Sequence, residues 1–381
     1  MTTHTYVDIH IVQTVPPSNM NRDDAGSPKQ AIYGGARRAR VSSQAWKRAT
    51  RTAFAEHVPT GQLATRTKRI SSLLADRLAD RTGLDDEQAT RISTALLAPL
   101  KIKPGKKAND TAYLLFFGRP QLERLADLVA DRATELADLD DEKLGQELKD
   151  MPVKEVLGEG HPLDVALFGR MVADIPGLNV DAATQVAHAI STHAVEIEFD
   201  YFTAVDDENT EDSGAGMIGT VEFNSATLYR FATVGMHQLA DNLGGDIEAA
   251  VVALEVFLSA FTRSMPTGHQ NTFAHRTLPG LVSVAIRDDQ PVNLVSAFES
   301  PVRAASGIAA ESAARLVTEM RNTNELWGLT PVQVASTYTP TGDQTADSAT
   351  ADVLGPPMPF GDLLTAVTST VRARMAGEVR H

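Results

Sequence analysis

The stretch AVEIEFDYFTAV (residues 194–205) alternates without interruption. Val195, Ile197, Phe199, Tyr201 and Thr203 fall on one side and Glu196, Glu198, Asp200 and Phe202 on the other, the two-residue period of a β-strand. An acidic, glycine-containing segment follows, DDENTEDSGAG (206–216), and a second strand-like run extends from about residue 217 to 234. The pair reads as a long hairpin whose tip protrudes into solvent.

Upstream, Val7, Ile9 and Ile11 alternate with Asp8 and His10, which predicts a half-buried strand. A loop rich in Pro, Asn, Asp and Gly (16–35) leads to VSSQAWKRATRTAF (41–54), where Ser42 or Ser43 can cap a helix. Downstream, Ile247, Ala250, Val251, Leu254, Phe257, Leu258 and Phe261 recur at helical spacing, and LVSVAI (281–286) reads as a buried strand. The order β-α-β-β-α-β is the split βαβ arrangement of an α+β, ferredoxin-like fold, shared by RNA-recognition domains. A mostly helical insertion (59–187), with amphipathic runs at 70–78 and 122–136, separates the first helix from the hairpin. Near the carboxyl end, TPTGDQTADSATADVLGPP (339–357) is poor in apolar residues and reads as a flexible loop before a short final helix. The aromatic pattern of a standard RNA-recognition motif is missing from the third strand, so stacking of bases on the sheet face is not expected.

With 381 residues, 43% of them hydrophobic, the chain can bury one large core or two ordinary ones. Its 49 acidic against 35 basic residues give a formal charge of −14, so the overall field repels polyanions and anionic membrane surfaces. A polyanion must therefore bind locally. The chain has no cysteine, which excludes disulfides and thiolate metal sites. Neither a leader-like amino end nor an apolar run near the ~18 residues of a membrane span is present, so a cytoplasmic protein is expected.

Against that acidic background, residues 29–55 carry only cations: Lys29, Arg37, Arg38, Arg40, Lys47, Arg48 and Arg51, before the first carboxylate at Glu56. At about 100° per residue, Gln44, Lys47, Arg48 and Arg51 share roughly one third of the helix circumference, opposite Ala45, Trp46, Ala49 and Ala53. The helix start adds free amides beside the Ser42 and Ser43 hydroxyls, so phosphate can be met by amide, hydroxyl and cation together. Gly34 and Gly35 would let a ligand's backbone come close. Such contacts hold a nucleic-acid backbone without reading its sequence. A merely solvated basic face is the plain alternative.

Phe202 sets a large aromatic on the acidic side of its strand, where it can wedge between bases or pack on a neighbouring subunit. The loop KIKPGKK (101–107) offers Lys101, Lys103, Lys106 and Lys107 to duplex phosphates. Evidence for catalysis is thin. Asp23 and Asp24 could hold a divalent ion for phosphodiester cleavage, although paired loop carboxylates more often cap or pair. His188 with His193, and His269 with His275, lack metal-ligand spacing, and neither a phosphate-binding loop nor a nucleophile elbow is present. No catalytic residue, metal or cofactor is expected.

The segments SNMNRDDAGSPKQAIYGGARRARVSSQAWKRATR (18–51), HAISTHAVEIEFDYFTAVDD (188–207) and GTVEFNSATLYRFA (219–232) closely resemble the repeated backbone subunit of the type I-E Cascade CRISPR surveillance complex. The resemblance covers the amino-terminal quarter, the hairpin and the following strands. It implies a hand-like subunit with a ferredoxin-like palm (1–58 and 222–381), helical fingers (59–190) and a thumb hairpin (191–221). Copies stack head to tail along the CRISPR guide RNA, beside other Cascade subunits, and the guide pairs with a target DNA strand. By position, Arg22, Ser42, Gln44, Lys47 and Arg51 match the grip on the guide backbone. Tyr201, Phe202 and Thr203 match the thumb that kinks the guide on a neighbouring copy, and Met171, in LFGRM, matches a fingers residue near the kink. The family subunit is not a nuclease. Three readings are carried forward: a non-catalytic RNA-binding scaffold, a metal-dependent RNA-processing nuclease using Asp23 and Asp24, and a protein-only assembly module.

Overall fold

The structure is a computed structural model that describes residues 4–102, 105–106, 110–205, 215–304 and 307–377. Among these residues eleven strands and a larger number of helices form an α+β fold with antiparallel sheets. In chain order the strands are β1 (Tyr6–Ser18), β2 (Gln30–Tyr33), β3 (Ala36–Val41), β4 (Ala64–Thr67), β5 (Leu115–Gly118), β6 (Thr184–Val186), β7 (Ala189–Ser191), β8 (Glu198–Val205), β9 (Ala215–Gly235), β10 (Leu281–Arg287) and β11 (Gln333–Tyr338). The chain divides into two compact units, residues 1–54, 185–236 and 254–381, and residues 55–184 with 237–253.

The first unit is built on a sheet ordered β11-β10-β1-β9-β7-β3-β2, with β6 and β8 paired to β9 off this path. Strand β1 runs antiparallel to β10 on one side and β9 on the other. It is not half-buried as its alternation predicts, because Asp8 and His10 are as fully buried as Val7, Ile9 and Ile11. Two layers cover it. On one face the helix Ile308–Trp327 contributes Leu316, Val317 and Met320 to a core that contains Val12, Tyr229, Phe231 and Phe298. On the other, Trp46 of the helix Ser43–Ala53 and Phe261 of the helix Ile247–Arg263 meet edge to face, with the Arg230 guanidinium 3.8 Å from the Trp46 ring centroid.

The region 16–35 is more ordered than a loop. Strand β1 continues through Pro16 and Pro17 by a register shift between Val15 and Ser18, the kind of irregularity that tolerates proline. Strands β2 and β3 form a hairpin closed by Gly34 and Gly35, both at positive φ (57° and 71°), which a two-residue turn of this hand requires. The segment 339–357 also departs from expectation. It contains the helix Gln344–Leu354, started by the Asp343 carboxylate accepting from the Thr345 and Ala346 amides and anchored by fully buried Leu354. The final helix, Phe360–Met375, is 16 residues long rather than short.

In the second unit, short helices enclose a core that includes Ile70, Leu74, Ile92, Leu96, Leu122, Leu125, Leu144 and Leu148. The helix Ile70–Thr82 matches its amphipathic run, whereas the run at 122–136 breaks between the helices Arg119–Asp127 and Ala133–Ala137. Strands β4 and β5 form a separate two-stranded sheet that the sequence pattern does not predict. Residues 237–253 belong to this unit too, although they lie within the range expected for the palm. Among the described residues, no helix is long and apolar enough to cross a membrane.

Candidate nucleic-acid interface

The helix Ser43–Ala53 begins where Ser42 adopts an extended backbone and its hydroxyl accepts from the Ala45 amide. The Ser42 amide donates to Asn21 Oδ1 at 2.8 Å, so the loop before β2 is fastened to the helix start. That loop is shaped internally: Asp23 Oδ1 accepts from the amides of Ala25 and Ser27, and Asn19 donates to the carbonyls of Gly26 and Glu222. Asp23 is thus a loop cap. Among the described residues, no group of three or more His, Asp or Glu side chains is placed to hold a metal ion.

Trp46 and Thr50 are buried on one side of the helix, while Gln44 and Arg48 are exposed and Lys47 and Arg51 are half-buried. Burial of the Lys47 stem holds its ammonium below the usual lysine range. Arg22, on the fastened loop, is exposed and lies 2.8 Å from His269 Nε2. Arg40 donates from Nε to the Gln30 carbonyl and approaches His188 Nδ1 at 3.3 Å, an atom that the Ser43 amide also reaches at 3.3 Å. Lys29 is half-buried nearby. Burial, and then the neighbouring Arg40 and Lys29, keep His188 below the ordinary histidine value, and burial with Arg22 does the same for His269.

These two histidines are not legible in the sequence as members of the interface, since they stand 148 and 247 positions from their arginine partners. The pairs weighed as metal ligands do not converge. His193 spans the Ala194 carbonyl and the Thr227 amide, and buried His275 meets the Pro266 carbonyl.

Arg38 is the exception within the basic block. It is fully buried, and its guanidinium donates to the carbonyls of Ser191 (2.9 Å), Phe298 (2.8 Å) and Glu299 (3.0 Å). Arg37, one residue earlier, is exposed and donates to Gln30 Oε1. A strand sends adjacent side chains to opposite faces, so Arg38 points away from Arg37 and into the corner formed by Ser191, Phe298 and Glu299. Gly34 likewise serves this chain's own packing, because a Cβ there would fall onto the Glu299 carbonyl.

The β8–β9 hairpin pairs from Glu198 with Phe223 to Val205 with Ala215. Its acidic tip at 206–214 lies outside the described residues. Phe199, Tyr201 and Thr203 are exposed on one face, and Phe202 is exposed on the other. The alternation suggests one covered face, but Phe199 and Tyr201 remain 67% and 64% exposed. Phe202 stands opposite Gly219 and its ring lies over that glycine, where any Cβ would collide with it.

In the second unit Met171 is 85% exposed, although the chain on both sides of it is tied down. Buried Arg170 donates to the carbonyls of Leu178 and Leu157, and the Val172 amide donates to Asn179 Oδ1 at 2.6 Å. Lys101 and Lys106 are exposed, and Lys101 has a positive φ of 52°. Lys103 and Lys107 lie outside the described residues.

Residues 7–360 match the model of a family described as CT1975-like protein. Among solved structures, a chain of a "CRISPR RNA-guided surveillance complex, pre-nicking" is similar at 33% identity, over 96% of this chain and 100% of that one, with a TM-score of 0.82. A chain of a "CRISPR RNA-guided surveillance complex" is similar at 29% identity, over 96% and 99%, with a TM-score of 0.73. No curated protein matches.

Proposed function

Because the chain belongs to the CT1975-like protein family, we propose that it is a non-catalytic guide-RNA-binding backbone subunit of a type I-E Cascade complex. The observation that carries this reading is the cationic surface of a negatively charged protein, gathered on one capped helix and the loop fastened to it. Likeness over nearly the whole length to chains of RNA-guided surveillance complexes supports it.

In this reading Arg22, Lys29, Arg40, Ser42, Gln44, Lys47, Arg48 and Arg51 hold the guide backbone. Ser42 acts through its cap and the amides it orients, since its own hydroxyl is engaged. A subunit repeated along arbitrary guide sequences has to bind phosphate and shape and leave base identity to guide–target pairing. Copies stack head to tail, and the β8–β9 thumb of one folds over the guide held by the next. Phe202, flanked by Tyr201 and Thr203, separates bases there, and Met171 of the neighbouring fingers lies near the kink. Lys101 and Lys106 face target duplex. The strand order β10-β1-β9-β7, with the helices Ser43–Ala53 and Ile247–Arg263 on one side, supports a ferredoxin-like palm.

Purified protein is expected to carry RNA and to size as a multimer that ribonuclease dissolves. Replacing Lys47 and Arg51 together by Ala is expected to weaken binding to any single-stranded RNA and to lower the salt slope by roughly 1–2, at about 0.7 per phosphate contact. Ordered multimers without RNA, or an unchanged slope, would overturn the reading.

A further inference from the structure

We infer that Arg38 is the positioning residue that fixes the cationic hairpin β2–β3 against the root of the β8–β9 hairpin, and that it does so without touching RNA. The inference rests on the guide-binding reading and assigns Arg38 a different role from the cations around it.

Three segments meet at this guanidinium: β3, which carries Arg37 and Arg40; residues 191–195, which lead into β8; and the turn at Phe298 and Glu299. Around it the same segments are joined again. The Ala39 amide donates to Ser191 Oγ, the Val195 amide to the Arg37 carbonyl, and the Val302 amide to the Thr192 carbonyl. At the far end of β2 the Tyr33 hydroxyl donates to the Val295 carbonyl, and Gly34 lies directly against Glu299. A planar guanidinium supplies several donors in fixed directions, whereas an ammonium on a flexible stem cannot reproduce that fork. A buried cation held by the carbonyls of Ser191, Phe298 and Glu299, with the Tyr33 ring 5.7 Å away, is costly to move, so the corner has one favoured arrangement. The distance between the phosphate-gripping cations and the aromatic hairpin follows from that corner.

Arg38→Lys preserves charge and breaks the fork, which separates positioning from contact. Binding to a labelled single-stranded RNA of arbitrary sequence is expected to weaken about tenfold at fixed salt, with the wild-type salt slope retained. Gly34→Ala, which removes no cation and pushes on Glu299, is expected to give the same signature. Amide exchange at Ala39 and Val195 is expected to rise together in both variants, while the helix Ser43–Ala53 stays protected. A slope lowered by about 0.7 in Arg38→Gln, which removes the charge, would make Arg38 a phosphate ligand. Unchanged affinity beside a lowered melting temperature would reduce it to a residue of the core. Each result overturns the inference. Should the wild-type protein bind no RNA, the guide-binding reading fails by itself, and the exchange measurement still decides the coupling: Ala39 and Val195 loosening independently would overturn it.

Discussion

Between Lys29 and Arg51 the exposed cations stand on elements whose other side is buried, whereas between Glu198 and Phe223 a two-stranded ribbon presents Phe199, Tyr201 and Phe202 to solvent from both faces. The first region is backed by Trp46, Arg230 and Phe261 and tied to the rest of the chain through Asn21 and Arg38. The second has its partners along the ribbon itself, with Phe223 against Phe273 near its root. The contrast separates cations set on buried elements from aromatics left exposed on a ribbon; in the proposed guide-binding reading, the second group gains its burial from RNA or a neighbouring copy. Preorganised charge saves ordering entropy on binding, and exposed rings hold apolar surface in reserve for it.

Trp46→Ala attacks the backing of the first region and should have the largest effect. It removes a fully buried indole and the ring under the Arg230 guanidinium, so a loss of about 3–5 kcal/mol is expected in denaturant titration. A loss as small as that of a hairpin variant would abolish the distinction.

The sheet behind the first region should also set the protein's acid limit. The Leu294 amide donates to the Tyr229 oxygen, which lies 2.9 Å from Nδ1 of the buried His10. Burial, with Arg287 nearby, pushes His10 down to about 3, so its contribution is present above pH 6.5 and is lost as pH falls from there toward 3. Asp8, bonded to Arg287 and to the Val292 amide, is pushed up to about 6 by burial. Its contribution is present below pH 3.8 and is lost as pH rises through 6, so it opposes His10 over most of the same window. The two shifts correspond to on the order of 5 and 3 kcal/mol, which leaves a net loss of about 2 kcal/mol on acidification. His10→Gln should remove that loss and leave stability flat or rising toward pH 4. An unchanged pH profile would remove His10 from the account.

Phe202→Ala should cost about 1–3 kcal/mol of RNA binding per stacked base, with an unaltered salt slope, the reverse of the Lys47 and Arg51 pattern. Gly219→Ala should reproduce it by displacing the ring. If Phe202→Ala lowers the slope instead, the division between charged and aromatic halves is wrong. The smallest effect is expected for Phe199→Ser or Tyr201→Ser in the isolated chain, within about 0.5 kcal/mol of wild-type stability. A larger loss would mean that the ribbon's face is already packed.

The chain's own residues specify several features without any tertiary knowledge. Unbroken alternation at 194–205 marks the first strand of a hairpin, Ser42 marks a helix start, and seven cations without a carboxylate mark a local concentration of positive charge. These are short-range properties, set by backbone period, amide capping and summed charge, and they need no distant partner. The Gly34-Gly35 turn signals the hairpin β2–β3 as well, although the polar residues around it read as loop.

Only the tertiary structure decided which charges face outward. Arg37 and Arg38 are adjacent and chemically alike, yet one is exposed and the other closes a corner with carbonyls more than 150 residues away. Asp8 and His10 read as a polar outer face until the helix Ile308–Trp327 covered it, and His188 and His269 joined the interface through contacts that no local spacing encodes. Periodicity tells which side chains share a side of an element. Which side is covered depends on layers brought in from elsewhere in the chain, and that burial sets whether an arginine grips a ligand or holds the protein together.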